Sequence, residues 1–482
     1  MTIPGAPDDY RGAFRTDADA LAAYAEAAGI ERRIPRAVAR PDDASSVQRL
    51  VEWAGLHRLP LVPRGSGSSM AGGAIGDGVV VDLGALATIE PVDAARRCVR
   101  AGAGAIRDGV DAAARAAGLR FTVDPSSGAF CTIGGMVGTN AAGARSLAFG
   151  AMRASVLALD CVFADGSRAE LRRGAGWRDI PALEGLVAAL PRLHALRNEG
   201  PFARQGLRKE SSGYALDAFL EHDDIVDLIV GSEGTLCLVV AAELALRELP
   251  GATSTVLAAF ASLDEAILAA TQARDAGAVA CELLDRTFLD VARSGGHTHG
   301  IPDDTEAVLL AETEAPDAAG ARGSAARVAA LFHAHHALKV ATAMEPAAEA
   351  ELWEIRHAAS PTITRLHPHL RSMQFIEDGA VPPDRFARYV RGVRDALATR
   401  GIPGVIFGHA GDAHAHVNPL IDVDAPGWRD VVAGLLDDVT TLVADLGGTL
   451  AAEHGDGRLR TPLLDRVHHE RTLDAFRLVK DA

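Results

Sequence analysis

The sequence predicts an α+β chain of two domains followed by a C-terminal helical segment. Three observations carry that expectation. Its 482 residues exceed the usual span of one domain. Up to about Pro250, short apolar runs alternate with single amphipathic helices, as in one α+β or α/β unit. Beyond Pro250, alanine-rich helical stretches alternate with strands, the texture of an antiparallel sheet backed by helices.

Taken in order, residues 1–34 read as a helical lead-in. Pro41-Asp42-Asp43 then opens a helix whose Val47, Leu50, Val51 and Ala54 fall at i, i+3, i+4 and i+7, one apolar face. Leu61-Val62-Pro63 and Val79–Leu83 read as short buried strands, and 105–118 as a helix ended by Gly118. Leu157 to Glu170 reads as strand, Asp165-Gly166 turn, strand. In the second domain, 262–276, 317–337 and 384–399 are helical, while Ala307–Ala311 and Val405–Phe407 are strands. From about residue 430 a helix leads into Gly447-Gly448 and then Glu453-His454-Gly455.

Bulk chemistry excludes several classes. A net charge of -16 does not suit a partner made of phosphates, so no nucleic acid is expected. Only Lys209, Lys339 and Lys480 are lysines, which leaves few positions for a Schiff base. The five cysteines are scattered without a C-x-x-C pair, so no zinc ribbon or iron–sulfur cluster is read from them. Their odd count and the lack of a signal-peptide pattern predict a reducing, cytoplasmic setting. No apolar run reaches the ~18 residues of a transmembrane helix.

Three glycine-rich stretches lie within the first domain. Pro63-Arg64-Gly65-Ser66-Gly67-Ser68-Ser69 follows a strand, and such a loop turns backbone amides inward to cradle phosphate without lysine. The second runs through Pro125 and Ser126 to Gly134, Gly135, Thr139, Asn140 and Gly143; its small residues let a planar ligand approach the backbone. The third is Gly231-Ser232-Glu233-Gly234-Thr235. Each could be a plain turn. A Rossmann site is the obvious competitor, but no G-x-G-x-x-G occurs in the chain.

The strongest chemical signal is Phe407-Gly408-His409-Ala410-Gly411-Asp412-Ala413-His414-Ala415-His416-Val417-Asn418. A tight turn at Gly411-Asp412 pairs His409 with His414 and Phe407 with His416, placing three imidazoles on one face. Converging imidazoles favour a divalent metal; the bland alternative is a surface histidine cluster. Glu453-His454-Gly455 adds a carboxylate and a base, weak alone but sufficient with the histidines for an open catalytic site.

P-R-G-x-G, I-G-G-M-x-x-x-N-A-x-G and G-S-E-G-T-L together resemble the vanillyl-alcohol oxidase and para-cresol methylhydroxylase (PCMH) superfamily from about residue 35 onward. The match is to its FAD-linked D-2-hydroxy acid dehydrogenase branch, with D-lactate dehydrogenase, glycolate oxidase and D-2-hydroxyglutarate dehydrogenase. The resemblance implies a PCMH-type FAD-binding domain over 35–250, a substrate or cap domain over 251–430 and a segment, 431–482, returning to the first domain. It implies FAD on the three glycine stretches. The loop after Arg64 has no histidine before Ala74, so the FAD is expected to be non-covalent.

The same resemblance assigns roles. His409, His416 and Glu453 match ligands of a divalent metal (zinc, or manganese, iron or cobalt), and His454 the general base. His414 stands outside that ligand set. Asn418 matches a residue near the substrate. Arg356, in Leu352-Trp353-Glu354-Ile355-Arg356, matches the guanidinium that grips the substrate carboxylate, although alone it reads as a helix-surface ion pair. Ser360 stands where relatives carry a hydroxyl. Hydride would pass to the flavin N5, and electrons to a separate iron–sulfur protein or a quinone rather than NAD. F-I-E-D-x-A-V-P at 375–382 resembles bacterial members fused to an iron–sulfur domain, and Ile376 stands where animal and plant 2-hydroxyglutarate enzymes carry lysine. A homodimer is compatible with this reading. A metal-free FAD sugar or alcohol oxidase, a His/Glu metallohydrolase and a non-catalytic flavin protein are its rivals.

Overall fold

In the computed structural model, residues 3–294, 300–366 and 369–482 are described, with side chains omitted for 357–366. The helix opened by Asp42-Asp43 is Ala44–His57; Asp43 caps it by accepting the Ser46 N–H at 2.8 Å. Its apolar face, Val47, Leu50, Val51 and Ala54, is buried against a four-stranded sheet. That sheet runs in the order Gly12–Arg15, Ala37–Pro41, Val79–Asp82, Leu61–Arg64. Its last three strands are parallel.

The first strand is a departure from the sequence reading. In place of a helical lead-in there is one six-residue helix, Ala18–Ala23, and an antiparallel edge strand, Gly12–Arg15. The strand satisfies the open edge of Ala37–Pro41 and sets Phe14 edge-on to Trp53 at 5.5 Å. Four residues are too few for a period to show in sequence.

A second sheet is wholly antiparallel, in the order Cys98–Gly102, Leu238–Ala245, Val156–Val162, Arg168–Arg172. The third and largest sheet is also antiparallel. It runs Lys339–Ala343, Ala252–Phe260, Ala307–Ala315, Ala278–Asp285, Gly404–Gly408, His414–Ile421, Arg371–Ser372, with Gly379–Ala380 also paired to His414–Ile421. Its central strands read as unbroken apolar runs because both faces are covered. Leu283 and Leu309 point into a core with helices Leu263–Ala273, Ala318–Ala334 and Phe386–Thr399. Leu284 and Leu310 point into another, with Phe288, Leu289 and Ile355.

One short segment ties the units together at two residues. Leu147, from the short helix Ser146–Phe149, is buried in the large sheet's core, worth ~1.5–3 kcal/mol. Its neighbour Arg145 donates to both oxygens of Glu312 at 2.8 and 2.9 Å and to Asp124 at 2.6 Å. The C-terminal helices touch both units: Trp428–Asp445 packs on Phe386–Thr399, and Glu470–Asp481 on Glu184–Asn198. Among the described residues, no helix is long and apolar enough to cross a membrane.

Candidate active site

Two cavities meet where the sheets converge. The first opens beside the glycine-rich loops. The whole loop Pro63 to Ser69 lines it, as do Pro125, Ser126, Gly134, Gly135, Thr139, Glu233 and Gly234. Close approach explains the glycines: a Cβ on Gly65 would sit 2.1 Å from Thr132 Oγ1, and one on Gly234 2.2 Å from Pro63 Cγ. Thr132 also caps helix Ile133–Thr139. This backbone-lined cleft fits a phosphate-bearing planar cofactor. Two expected residues stand elsewhere. Asn140 is buried at the left-handed end of that helix (φ 50°), where its Oδ1 accepts the Arg153 N–H at 2.9 Å. Gly143 lines the second cavity.

The second cavity is lined by Arg356, Asn418, His409 and His416 among others. Met70, Ser126, Glu453 and His454 line both cavities. Arg356 stacks 4.2 Å from the Phe407 ring. The side chain of Ser360 lies outside the described residues.

The hairpin Gly404–Gly408/His414–Ile421 delivers the histidines. Phe407 pairs with His416 as the sequence predicts. The connection is wider than a two-residue turn: Ala410–Asp412 forms a 3₁₀ turn and Ala413 is left-handed (φ 54°). His409 and His416 nonetheless converge on Glu453. Their Nε2 atoms are 3.4 Å apart, and Glu453 Oε1 lies 3.5 Å from the first and 3.3 Å from the second. Donors on a tetrahedral ion with ~2.1 Å bonds stand ~3.4 Å apart, so the triangle has the size of one divalent metal. The far nitrogens are occupied: His416 Nδ1 lies 2.9 Å from the Glu377 carbonyl, and His409 Nδ1 2.5 Å from Glu282 Oε1. Such partners direct Nε2 toward an ion.

Supporting side chains come from remote segments. Glu282, from the adjacent strand, also accepts from Arg356 Nε at 3.2 Å through its second oxygen, linking the arginine to the metal-type cluster. Lys209, buried, donates to Glu453 Oε2. Asp378 accepts the backbone N–H groups of Glu453 and His454 at 3.2 and 2.8 Å. Glu233 accepts those of Asp456 and Gly457 at 2.8 and 2.9 Å, so a residue of the first cavity steadies the His454 loop. Arg460 donates to both Glu377 and Asp378. Sequence reasoning missed Glu282, and noted Lys209 and Glu377-Asp378 for other reasons; the rarity of lysine was the one available signal.

Burial opposes every charge here, and neighbours decide the outcome. It pushes His454 down, but Asp378 and Glu377 raise it to about 9. It likewise opposes the imidazolium of His409, which Glu282 carries up to about 9. His416 is lowered, chiefly by burial. Burial lifts Glu453, yet Lys209 and His409 hold it well below the usual carboxylate range. Glu377 falls to about 2 because Arg460 and His454 outweigh its burial. The arrangement can hold a cation, accept a proton at His454 and fix an anion at Arg356 beside the cleft.

Comparison with known proteins agrees with this geometry. Residues 35–172 match the family described as FAD binding domain, and 249–482 the one described as FAD linked oxidases, C-terminal domain. The chain is 28% identical to the glycolate oxidase subunit GlcD of Bacillus subtilis over 93% of this chain and 86% of that one. It is 27% identical to a D-lactate dehydrogenase of Archaeoglobus fulgidus, over 90% and 85%. It is also 27% identical to a D-2-hydroxyglutarate dehydrogenase of Pseudomonas putida, but there it spans 93% of itself and 47% of the relative. A solved 4-ethylphenol oxidase from Gulosibacter chungangensis shares the fold, with TM-score 0.69, 14% identity and coverage of 97% and 90%. The expected α+β class with an FAD-binding unit and an antiparallel sheet is the architecture observed. The chain thus carries an FAD binding domain followed by an FAD linked oxidase C-terminal domain, and is an oxidoreductase.

Proposed function

We propose that the chain oxidises a small D-2-hydroxy acid to its 2-oxo acid with non-covalent FAD and one divalent metal. The observation that carries this is the meeting of the two cavities at Glu453 and His454, with the donor triangle on one side and the glycine cleft on the other. The names of the relatives supply the substrate class and the D configuration. FAD would supply the hydride acceptor, and His409, His416 and Glu453 would hold a metal that supplies Lewis acidity at the hydroxyl.

The protein's own groups do the rest. Arg356, its plane set by Phe407 and its Nε by Glu282, turns its remaining N–H groups to the substrate carboxylate. Asn418 lines the same cavity and is assigned to substrate contact. In its neutral form His454 takes the hydroxyl proton, and Glu377 and Asp378 stabilise the imidazolium that results. Pro63 to Ser69 holds the cofactor's pyrophosphate, and the other glycine stretches its remainder. Electrons then leave to an acceptor other than NAD, an iron–sulfur protein or a quinone. A flavin-free metallohydrolase would leave the FAD-binding domain without a ligand.

The test is the visible spectrum of the anaerobic protein with D- and L-2-hydroxy acids. Bleaching of the flavin by a D-acid, lost on chelation and restored by metal, is expected. A flavoprotein that no hydroxy acid reduces overturns the substrate class, and reduction that survives full metal removal overturns the metal.

A further inference from the structure

The hairpin that carries His409 and His416 holds a third histidine to which the scheme above assigns no part. His414 is wholly buried, and among the described residues neither ring nitrogen has a well-aligned hydrogen bond. Asp378 Oδ1 lies 3.0 Å from Nε2 but out of line for one. Buried polar groups nearly always find a partner, and an exception calls for a water or an ion.

His414 is also in the right place. Its ring centre is 4.5 Å from that of His416 and 5.3 Å from that of His409. One donor atom from each of His409, His414, His416 and Glu453 falls within 4.8 Å of the others. On a five- or six-coordinate ion with ~2.1 Å bonds, opposite donors stand ~4.2 Å apart, so about half an ångström of adjustment gathers all four and leaves a position for substrate. It does not line the second cavity, so it meets an ion from the protein side and leaves the cavity side for substrate.

We propose that His414 is a fourth protein ligand, so that this chain holds its divalent ion with three imidazoles and one carboxylate. The inference rests on the metal of the proposed function. A nitrogen-rich set of this kind favours zinc, iron or cobalt over magnesium or calcium.

The test is zinc-edge X-ray absorption on the flavin-loaded, zinc-loaded protein, which counts bound imidazoles. Three are expected in the native protein and two in His414→Leu and His414→Asn, with zinc affinity by chelator competition weakened about tenfold or more. Weaker binding alone would also follow from an indirect role, so the imidazole count decides. Two imidazoles in the native protein overturn His414 as a ligand and leave the three-residue site standing. A native protein that takes up no zinc, iron, cobalt or manganese overturns the proposed metal, and this inference with it. Should both variants fail to fold, the native count still decides.

Discussion

Glu282→Gln tests the link between the substrate anchor and the metal-type cluster. Glu282 is 1% exposed, and both its oxygens are engaged: Oε1 at 2.5 Å from His409 Nδ1, Oε2 at 3.2 Å from Arg356 Nε. Burial raises its carboxyl, yet His409 and Arg356 hold it far below its usual range, so it is a full anion. The amide is nearly the same shape but has one acceptor. If that acceptor keeps His409, the NH₂ faces the Arg356 N–H, donor against donor; if it keeps Arg356, His409 loses its orienting partner. A hydrogen bond to a charged group contributes ~1.5–3 kcal/mol, and each ~1.4 kcal/mol is a factor of ten. Phe407 still holds the guanidinium plane, so the arginine is misaimed rather than lost. We expect KM for the hydroxy acid to rise ~10-fold or more, or metal affinity to fall ~10–100-fold, or both. Anaerobic flavin reduction against substrate concentration reads the first, and chelator competition the second. Folded protein with both quantities unchanged would refute the coupling.

Three further outcomes are expected. His454→Asn should lower the rate of flavin reduction by ~10²–10⁴ while leaving flavin content unchanged; near-native turnover removes it from the base role. Gly65→Ala places a Cβ 2.1 Å from Thr132 Oγ1, so FAD affinity measured by fluorescence titration of the apoprotein should fall steeply, and tight binding would show that the loop yields. In metal-free protein, burial lowers His454 but Asp378 and Glu377 carry it from 6.5 to about 9. A base raised by folding stabilises fully below its unfolded value and loses that as pH climbs through the folded one. Urea unfolding should therefore show stability falling between pH 6.5 and 9, by at most ~3 kcal/mol from this group, with a shallower slope in His454→Asn; a flat profile would sink the assignment.

Local features were legible because their causes are local. The cap at Asp43, the turn at Asp165-Gly166 and the apolar faces of the helices each depend on residues a few positions apart. The glycine loops announce themselves for the same reason: a close approach excludes side chains wherever it occurs. His409 and His416 sit on one hairpin, so the pairing of Phe407 with His416 already brings them close, although the turn departs from the two-residue form. The edge strand Gly12–Arg15 was hidden because its pairing, not its residues, makes it a strand. Asn140 and Gly143 share a motif with the cofactor loop, but helix end and chain reversal turn one inward and the other toward the second cavity.

By itself, then, the sequence determined the α+β class, the glycine-rich loops and the histidine pair with its Glu453-His454 companion. Tertiary structure alone decided how charge is balanced among them. Glu282 reaches His409 across 127 positions and Lys209 reaches Glu453 across 244. Only the folded chain shows that His414 is buried beside His409 and His416 without a well-aligned hydrogen bond among the described residues. The physical reason is one of range: backbone propensity and periodicity act over a turn or a strand. The sign and direction of a buried charge depend on whatever the packed sheets bring within a few ångströms of it.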